Sequence, residues 1–202
     1  MKKTLLMYEL NEVPDRVISE YVKIRPNSYI ARIISKGEYC HTYTEDDGEL
    51  HPWSTWPTVH RGVDNSKHKI NYINQDLNKI NKSYPPIWEI LTSNNIDIGI
   101  FGSLQSYPPL KNKNVKFFVP DTFAPKSDTF PEYLRSFQEF NLKMGGDNKA
   151  INQKIDKRSI YLFSKVFLKN QIRLSTLIKL LFHISSEKIN KLFENRRSLM
   201  QP

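Results

Sequence analysis

The sequence predicts an α/β protein that becomes all-helical toward its C-terminus. Two apolar runs, residues 96–102 (IDIGIFG) and 115–119 (VKFFV), have the length and composition of buried strands. Helical patterns alternate with strand patterns up to residue 119, which favours a mostly parallel sheet. After residue 119 only helical patterns follow. We therefore expect an α/β unit at residues 1–130 and a helical segment at residues 131–202.

The first 45 residues predict two strands separated by two helices. Residues 4–10 (TLLMYEL) form an apolar run that we interpret as a buried strand. Pro14 suits the start of a helix that continues to about Ile24. Residues 28–36 predict a second helix with Gly37 as its C-cap, and residues 38–45 (EYCHTYTE) alternate as a strand does.

The middle of the chain predicts two further helices. Residues 51–63 (HPWSTWPTVHRGV) form a turn braced by Trp and Pro, and this turn opens a helix. A polar connection rich in Asn and Lys covers residues 64–83. Pro86 then suits the first turn of a helix whose apolar positions include Trp88 and Leu91 and which stops at Asn94.

The helical third predicts three amphipathic helices and carries most of the charge. Their sequences are PEYLRSFQEFNLKM, IYLFSKVFLK and IRLSTLIKLLFHI. Residues 131–202 hold 14 Lys or Arg against 6 Asp or Glu, whereas residues 1–130 hold 16 against 15. Such a basic third could face nucleic acid, an acidic membrane surface or a polyanionic substrate, or it could be a solvated helical face.

Two of these partners can be weighed from the sequence. No nucleic-acid-binding motif is present, and the aromatic residues are not interleaved with the basic ones as a stacking platform requires. We therefore expect no specific nucleic-acid partner. Peripheral contact of the basic helices with an acidic membrane stays open.

The sequence also bears on the compartment. Cys40 is the single cysteine, so no internal disulfide can form, which fits a reducing environment. The N-terminus (MKKTLLMYEL) lacks the long uncharged core and small-residue cleavage site of a signal peptide. No stretch approaches the roughly 18 apolar residues of a membrane span. These observations predict a cytoplasmic protein.

Three segments carry a pattern that points to phosphate chemistry. Thr55 lies in the turn that opens a helix, where unpaired N–H groups and a partial positive charge suit a phosphate. Asn11 follows the first predicted strand, and His68 precedes the helix and strand of residues 85–103 (PPIWEILTSNNIDIGIFGS). In this order and spacing, the segments resemble the type I phosphodiesterase/nucleotide pyrophosphatase branch of the alkaline phosphatase superfamily.

The resemblance implies a fold and an activity. It implies the N-terminal part of an alkaline-phosphatase-like three-layer αβα sandwich with a mostly parallel sheet, followed by a helical segment like the cap of some members. The activity implied is metal-dependent hydrolysis of a phosphate ester, with two divalent ions, zinc or manganese, as cofactors. By the same resemblance Thr55 is the nucleophile and a metal ligand, and Thr58 replaces an Asn that contacts the phosphate.

The first segment departs from the family pattern. Asn11 occupies the position of a metal-binding Asp, and it offers a carbonyl oxygen without a charge. Glu9 lies two residues earlier in the predicted strand, on the same face, and is a candidate substitute ligand. Two purely structural interpretations remain open: Asn11 as a cap of the next helix, and Thr55 as part of an aromatic-proline turn.

The remaining ligands that the resemblance implies are not found in the sequence. The family supplies an Asp followed by a His, an adjacent Asp-His pair and a final His. After His68 this chain has only His183, on an apolar helical stretch typical of a structural His, and Asp121 and Asp128 lack a His partner. Residues 190–202 show no helix-stop signal before Pro202.

Two functional interpretations follow. The first is a phosphodiesterase-type hydrolase, or its truncated N-terminal half, inactive alone and with a missing C-terminal half as a possible partner. The second is a non-catalytic module that binds an acidic membrane or a polyanion through its basic C-terminal helices.

Overall fold

The computed structural model describes residues 4–73, 75–145, 156–169 and 172–192, with side chains described up to residue 186. It is a mixed α/β structure in which helix predominates. The chain divides into two units, which are described separately. The first comprises Met1–Asn94 with Ser103–Gln105, and the second comprises Asn95–Gly102 with Ser106–Pro202.

The first unit is helical where the sequence places start signals. Pro14 precedes the first helix, Ser28 caps the second by accepting a hydrogen bond from the N–H of Ala31, and Pro86 precedes the last. The predicted helices at these three places are confirmed. The helices of this unit are α1 (Asp15–Ile24), α2 (Tyr29–Lys36), α3 (Pro52–Arg61), α4 (Asn65–His68), α5 (Asn78–Ser83) and α6 (Ile87–Ser93).

The described residues of the second unit form a small sheet and four helical segments. Strands β1 (Ile98–Phe101) and β2 (Val115–Val119) pair in parallel, as the sequence predicts. A 3₁₀ turn (Glu132–Leu134) leads into α7 (Arg135–Gly145), and α8 (Lys157–Leu168) and α9 (Leu174–Leu192) follow. Asp156 caps α8 by accepting a hydrogen bond from the N–H of Ser159 at 2.7 Å.

The core of this second unit lies around β2, with Phe118 buried on one face of the strand and Val115 and Val119 buried on the other. Phe118 is fully buried, and its backbone exchanges two hydrogen bonds with Phe130 in an antiparallel bridge. Phe117, the preceding residue, points to the other face because side chains alternate along a strand. It lies over Gly99 of β1, where a Cβ atom would come within 2.4 Å of the Phe117 ring. Helix α8 packs on α7 through its buried Leu162 and Val166 and the contact between Phe140 and Phe163.

Two predicted strands are wrong. Residues 4–10 and 38–45 have no regular secondary structure, and no backbone hydrogen bond joins them to another described segment. Leu5 and Leu6, expected in a core, are 91% and 84% exposed. A strand exists only through pairing, and within the described ranges no other strand runs alongside these residues. β1 is also shorter than predicted, and the exposed side chain of Phe101 shows that it is not covered on both faces.

The C-terminal helices are confirmed within the described residues. Among those residues, no helix has both the length and the apolarity needed to cross a bilayer. The predicted division at residue 130 stays a prediction. Most of residues 190–202, where the sequence predicts truncation within a helix, lie outside the described residues.

The two adjacent phenylalanines of β2 make a matched pair for testing the core. We expect Phe118→Ala to lower the free energy of unfolding by about 3–4 kcal/mol because it empties a fully buried position. Phe117→Ala removes the same atoms from a residue that is 40% exposed, and we expect a loss below about 1.5 kcal/mol. Urea denaturation of both variants measures the difference, and equal losses would contradict the described orientation of β2.

Candidate functional site

The candidate site is built on helix α3, which begins and ends at clear signals. Pro52 occupies the first helical position, and the Ser54 hydroxyl donates to the carbonyl of His51 at 3.0 Å. Gly62 ends the helix in the left-handed conformation, with φ of 65°. The sequence prediction that this segment opens a helix is confirmed.

A proline inside α3 leaves one carbonyl to be satisfied from elsewhere. Pro57 has no N–H, so the carbonyl of Trp53, four residues earlier, cannot be bonded by the helix. The buried side chain of Gln105 donates its amide N–H to that carbonyl at 3.4 Å and to the carbonyl of Tyr72 at 2.7 Å. The side chain of Gln105 thus satisfies the carbonyl that Pro57 leaves unbonded within the helix.

Thr55 lies in the first turn of α3, and its polar groups are bonded within the helix. Its hydroxyl donates to the carbonyl of His51 at 3.1 Å, and its N–H donates to the same oxygen at 2.9 Å. The N–H of Ser54 also bonds this carbonyl, and Pro52 has no N–H. The helix start therefore offers an anion fewer donors than the sequence predicts.

The two candidate metal ligands from residues 9–11 are held against the same helix. A carboxylate oxygen of Glu9 lies 2.8 Å from Nε2 of His60, and the amide oxygen of Asn11 accepts a hydrogen bond from the Trp56 indole at 3.0 Å. Trp56 and His60 are one turn apart on α3, so they present one face. The structure thus brings Glu9 and Asn11 to the helix that carries Thr55.

Asn11 does not cap the following helix. The N-cap residue of α1 is Pro14, and no side chain makes a capping hydrogen bond there. The structural interpretation of Asn11 as a helix cap is therefore wrong.

Two hydrogen-bond donors contact the partly buried carboxylate of Glu9. Besides His60, the hydroxyl of Ser103 donates to its second carboxylate oxygen at 3.0 Å. Burial by itself would raise the pKa of Glu9, but the hydrogen bonds of His60 and Ser103 and the charge of His60 outweigh it and lower that pKa. Glu9 is therefore an anchored, ionised carboxylate.

His60 is almost completely enclosed. Its ring stacks on Trp56, with centroids 5.9 Å apart, and meets Trp88 edge-on at 5.0 Å. Nε2 contacts Glu9 and Ser103, whereas Nδ1 is buried with no hydrogen-bond partner among the described residues. The imidazole therefore ties residue 9 and residue 103 to the helix.

Thr58 is the centre of a second hydrogen-bond network. Its hydroxyl oxygen lies 2.7 Å and 2.9 Å from the two carboxylate oxygens of Asp46 and 2.9 Å from Nε2 of His68. The N–H of Ile70 donates to Nδ1 of His68, so the proton of the neutral ring is on Nε2. His68 therefore donates to Thr58, and Thr58 donates to Asp46.

This direction of donation limits what His68 can do chemically. Burial lowers the pKa of His68, and the charge of Arg61 lowers it further, which favours the neutral ring. Because Nε2 carries the proton, His68 cannot accept a proton from Thr58 as a general base would. The predicted phosphate contact of Thr58 would have to compete with its bonds to Asp46 and His68.

The same network fixes the loop before α3. Asp46 also accepts a hydrogen bond from the N–H of Asn65 at 2.8 Å. Asn65 and Asp47 then exchange two hydrogen bonds, at 2.8 Å and 3.0 Å, between side chain and backbone. The acidic loop at residues 45–49 is therefore bound to the start of α4.

A buried guanidinium lies on the last turn of α3. Arg61 donates to Asn81 at 2.8 Å, and Asn81 in turn donates to Glu89 at 3.0 Å. Burial lowers the pKa of Arg61 to about 10, although the charge of Glu89 opposes the shift, and burial raises the pKa of Glu89. This chain links α3 to α5 and α6.

The donors present do not fit the pair of divalent ions that the resemblance implies. Glu9, Asn11 and Thr55 offer oxygen atoms alone, each already hydrogen-bonded to the protein, whereas zinc prefers nitrogen and sulfur. Within the part of the chain that the structure describes, no three His, Cys, Asp or Glu side chains are grouped to hold a metal. No chemical step is therefore assigned here to a metal ion.

Sequence reasoning missed His60, Ser103 and Asp46. The buried positions of α3 are Ser54, Pro57, His60 and Arg61, which follow helical spacing. Their polar or cyclic character hides them from a search for apolar periodicity. Ser103 and Asp46 reach α3 from distant positions in the sequence, which periodicity cannot show.

Comparisons of this chain with protein-family models, with curated proteins and with solved structures find no match. The functional interpretation therefore rests on the residues themselves.

The anchored carboxylate of Glu9 predicts a pH dependence of stability. Its folded pKa lies below its unfolded value of about 4.3, so its ionised form stabilises the fold above that pH and loses this effect as the pH falls through the folded pKa. We expect Glu9→Gln to cost about 1–2 kcal/mol at pH 7 and progressively less below pH ~4. Urea denaturation at several pH values measures this gap. The neighbouring exposed Glu12→Gln is the control, and a gap for Glu9→Gln that does not change with pH would contradict the assignment.

Substitution of the two threonines of α3 should lower the stability of the protein by very different amounts. Thr58→Val leaves Asp46 and His68 without their shared partner, and we expect a loss of about 2–3 kcal/mol. Thr55→Val removes only a hydrogen bond to a carbonyl that also accepts from backbone N–H groups, and we expect a loss below about 1 kcal/mol. Thermal and urea denaturation compare the two variants, and a larger loss for Thr55→Val would show that the networks are assigned wrongly.

Proposed function

We propose that this chain carries the nucleophile region of a phosphoric ester hydrolase of the type I phosphodiesterase/nucleotide pyrophosphatase type, on an alkaline-phosphatase-like αβα scaffold. The observation that carries the proposal is the attachment of residues 9–11 to helix α3. Glu9 bonds His60 and Asn11 bonds Trp56, so two segments that are far apart in the sequence meet on the helix that carries Thr55. This meeting is what the resemblance requires of its first and second segments.

The chemistry of the proposal begins at the hydroxyl of Thr55. Its oxygen attacks the phosphorus of the ester and its proton passes to solvent water, while the bond from phosphorus to the leaving oxygen breaks and that oxygen takes a proton from water to leave as the alcohol. Water then hydrolyses the phosphorylated threonine. In the family that the chain resembles, bound divalent ions activate the hydroxyl and neutralise the phosphate. Before attack, the Thr55 hydroxyl has to release the carbonyl of His51, which the main-chain N–H groups continue to bond.

The rate expected of the chain by itself is low. Three oxygen donors, all engaged with protein partners, are too few for a two-metal centre. The carboxylates Glu9 and Asp46 beside α3 also disfavour an approaching phosphate. We therefore expect turnover of the 202-residue chain close to the uncatalysed rate. Substrate binding should be weak and confined to residues 9–11 and the start of α3.

The test measures hydrolysis and binding with the same protein. Release of p-nitrophenol from bis(p-nitrophenyl) phosphate is followed with added Mn²⁺ or Zn²⁺ for the natural chain, Thr55→Val and Thr55→Ser. Binding is followed by amide NMR signals in the presence of Mg²⁺, with shifts expected at residues 9–11 and 53–56. The expected small loss of stability in Thr55→Val allows an effect on turnover to be assigned to the hydroxyl.

Each outcome of this experiment decides the proposal. Hydrolysis above the uncatalysed rate that vanishes in Thr55→Val and returns in Thr55→Ser supports it. Hydrolysis that Thr55→Val does not affect contradicts it. Where no hydrolysis is measured, substrate-induced shifts centred on α3 and residues 9–11 support it, and shifts elsewhere or no shifts contradict it.

A further inference from the structure

The C-terminal helices contain a long stretch with one sign of charge. Residues 157–186 hold six Lys or Arg residues and no Asp or Glu. The stretch covers α8 and most of α9, and Asp156 and Glu187 are the nearest acidic residues on either side. A surface of this composition attracts anions over a distance of about a Debye length, ~10 Å at 0.1 M salt.

Helix α9 exposes an apolar stripe within this stretch. The stripe consists of Leu174, Ile178, Leu181 and Phe182, which are 63%, 59%, 55% and 77% exposed. Their spacing of four, three and one residues places them on one side of the helix. Large apolar side chains so exposed in a row are more than the scattered singles of an ordinary surface.

The stripe is the more exposed side of α9. The partly buried residues of the helix include Leu177, Leu180 and His183, which recur every three residues along a different side. The four residues of the stripe are each more exposed than Ile184, which is 38% exposed.

Basic residues flank the stripe on both sides. At 100° per residue, Arg173 and Lys179 lie about 120° from the centre of the stripe, one on each side. Both are exposed. Long basic side chains in these positions can extend toward lipid headgroups while the apolar residues between them enter the acyl boundary.

Helix α8 also combines basic residues with exposed apolar side chains. Ile160, Tyr161 and Leu168 are exposed, whereas Leu162 and Val166 pack inward against α7. Its exposed apolar residues therefore belong to a separate outward side.

We propose that α9 binds the surface of an anionic lipid bilayer, with the apolar stripe inserted at the headgroup level and the helix parallel to the membrane. An amphipathic helix with a basic border and a Leu, Ile and Phe face is the type that binds there. A nucleic acid is less well matched, because the exposed side between the basic residues is aliphatic and carries only one aromatic ring. This interaction is independent of the proposed phosphoric ester chemistry and uses none of its residues.

Sedimentation with lipid vesicles tests the charge and the stripe together. We expect the natural chain to bind phosphatidylcholine vesicles that contain about a third phosphatidylserine and to bind pure phosphatidylcholine at least tenfold more weakly. Leu181→Ser with Phe182→Ser should weaken binding about tenfold or more. Leu5→Ser with Leu6→Ser, an apolar pair in the first unit that is even more exposed, is the matched control and should bind normally. Arg173→Ala and Lys179→Ala should each weaken binding about fivefold.

An environment-sensitive fluorophore reports the orientation of the helix. In a Cys40→Ser background, Ser185→Cys places the label at the centre of the stripe and Thr176→Cys places it on the opposite side. Both positions are exposed, so labelling should leave the fold intact, which circular dichroism checks. We expect anionic vesicles to shift the emission of the label at residue 185 to the blue and to leave the label at residue 176 nearly unchanged.

The other outcomes overturn the proposal. Equal binding to neutral and anionic vesicles, or no vesicle binding, contradicts it. Binding to single-stranded DNA that depends on Arg173 and Lys179 but not on Leu181 and Phe182, without a label shift on vesicles, would identify a polyanion as the ligand. Self-association in solution that Leu181→Ser with Phe182→Ser abolishes, again without a shift on vesicles, would identify a second copy of the chain.

Discussion

A buried imidazole N–H has to be hydrogen-bonded, and the arrangement around helix α3 follows from how Nε2 of His60 meets this requirement. The ring is enclosed between Trp56 and Trp88, and Glu9 and Ser103 supply the partners of Nε2. Without this contact, the hydrogen bond that still holds the segment before α1 on the helix, among those described, is the one between Asn11 and Trp56. The position of both candidate metal ligands therefore depends on one side chain that is not itself a candidate.

This dependence has a cost for the proposed chemistry. An ionised carboxylate has about four acceptor sites, and Glu9 uses them for His60 and, through both oxygens, for Ser103. The contacts that hold Glu9 on α3 thus also reduce its capacity to bind a cation. The same holds for Thr58, which resembles a phosphate contact but shares its hydroxyl between Asp46 and His68. The two networks hold α3 in a fixed position. The hydroxyl of Thr55 takes part in neither of them.

The sequence predicts the local features of this protein well. Ser28 and Pro86 mark helix starts that depend on a few neighbouring residues, and VKFFV becomes a strand at the predicted residues. The failures involve pairing over long distances. TLLMYEL has the composition of a buried strand, but its state depends on a partner strand, and within the described residues it has none. His60, Ser103 and Asp46 could not be found for a related reason, since a polar network is defined by which segments meet and not by the spacing within one of them.

A double-mutant cycle between Glu9 and His60 tests the central claim most directly. The free energy of unfolding is measured for the natural chain, Glu9→Gln, His60→Asn and the double variant at pH 7. If the buried imidazole holds residues 9–11 on α3, the two changes are coupled by about 1–3 kcal/mol. Additive effects, with a coupling energy within about 0.5 kcal/mol of zero, would show that the two side chains do not interact and that Glu9 does not anchor residues 9–11 on α3.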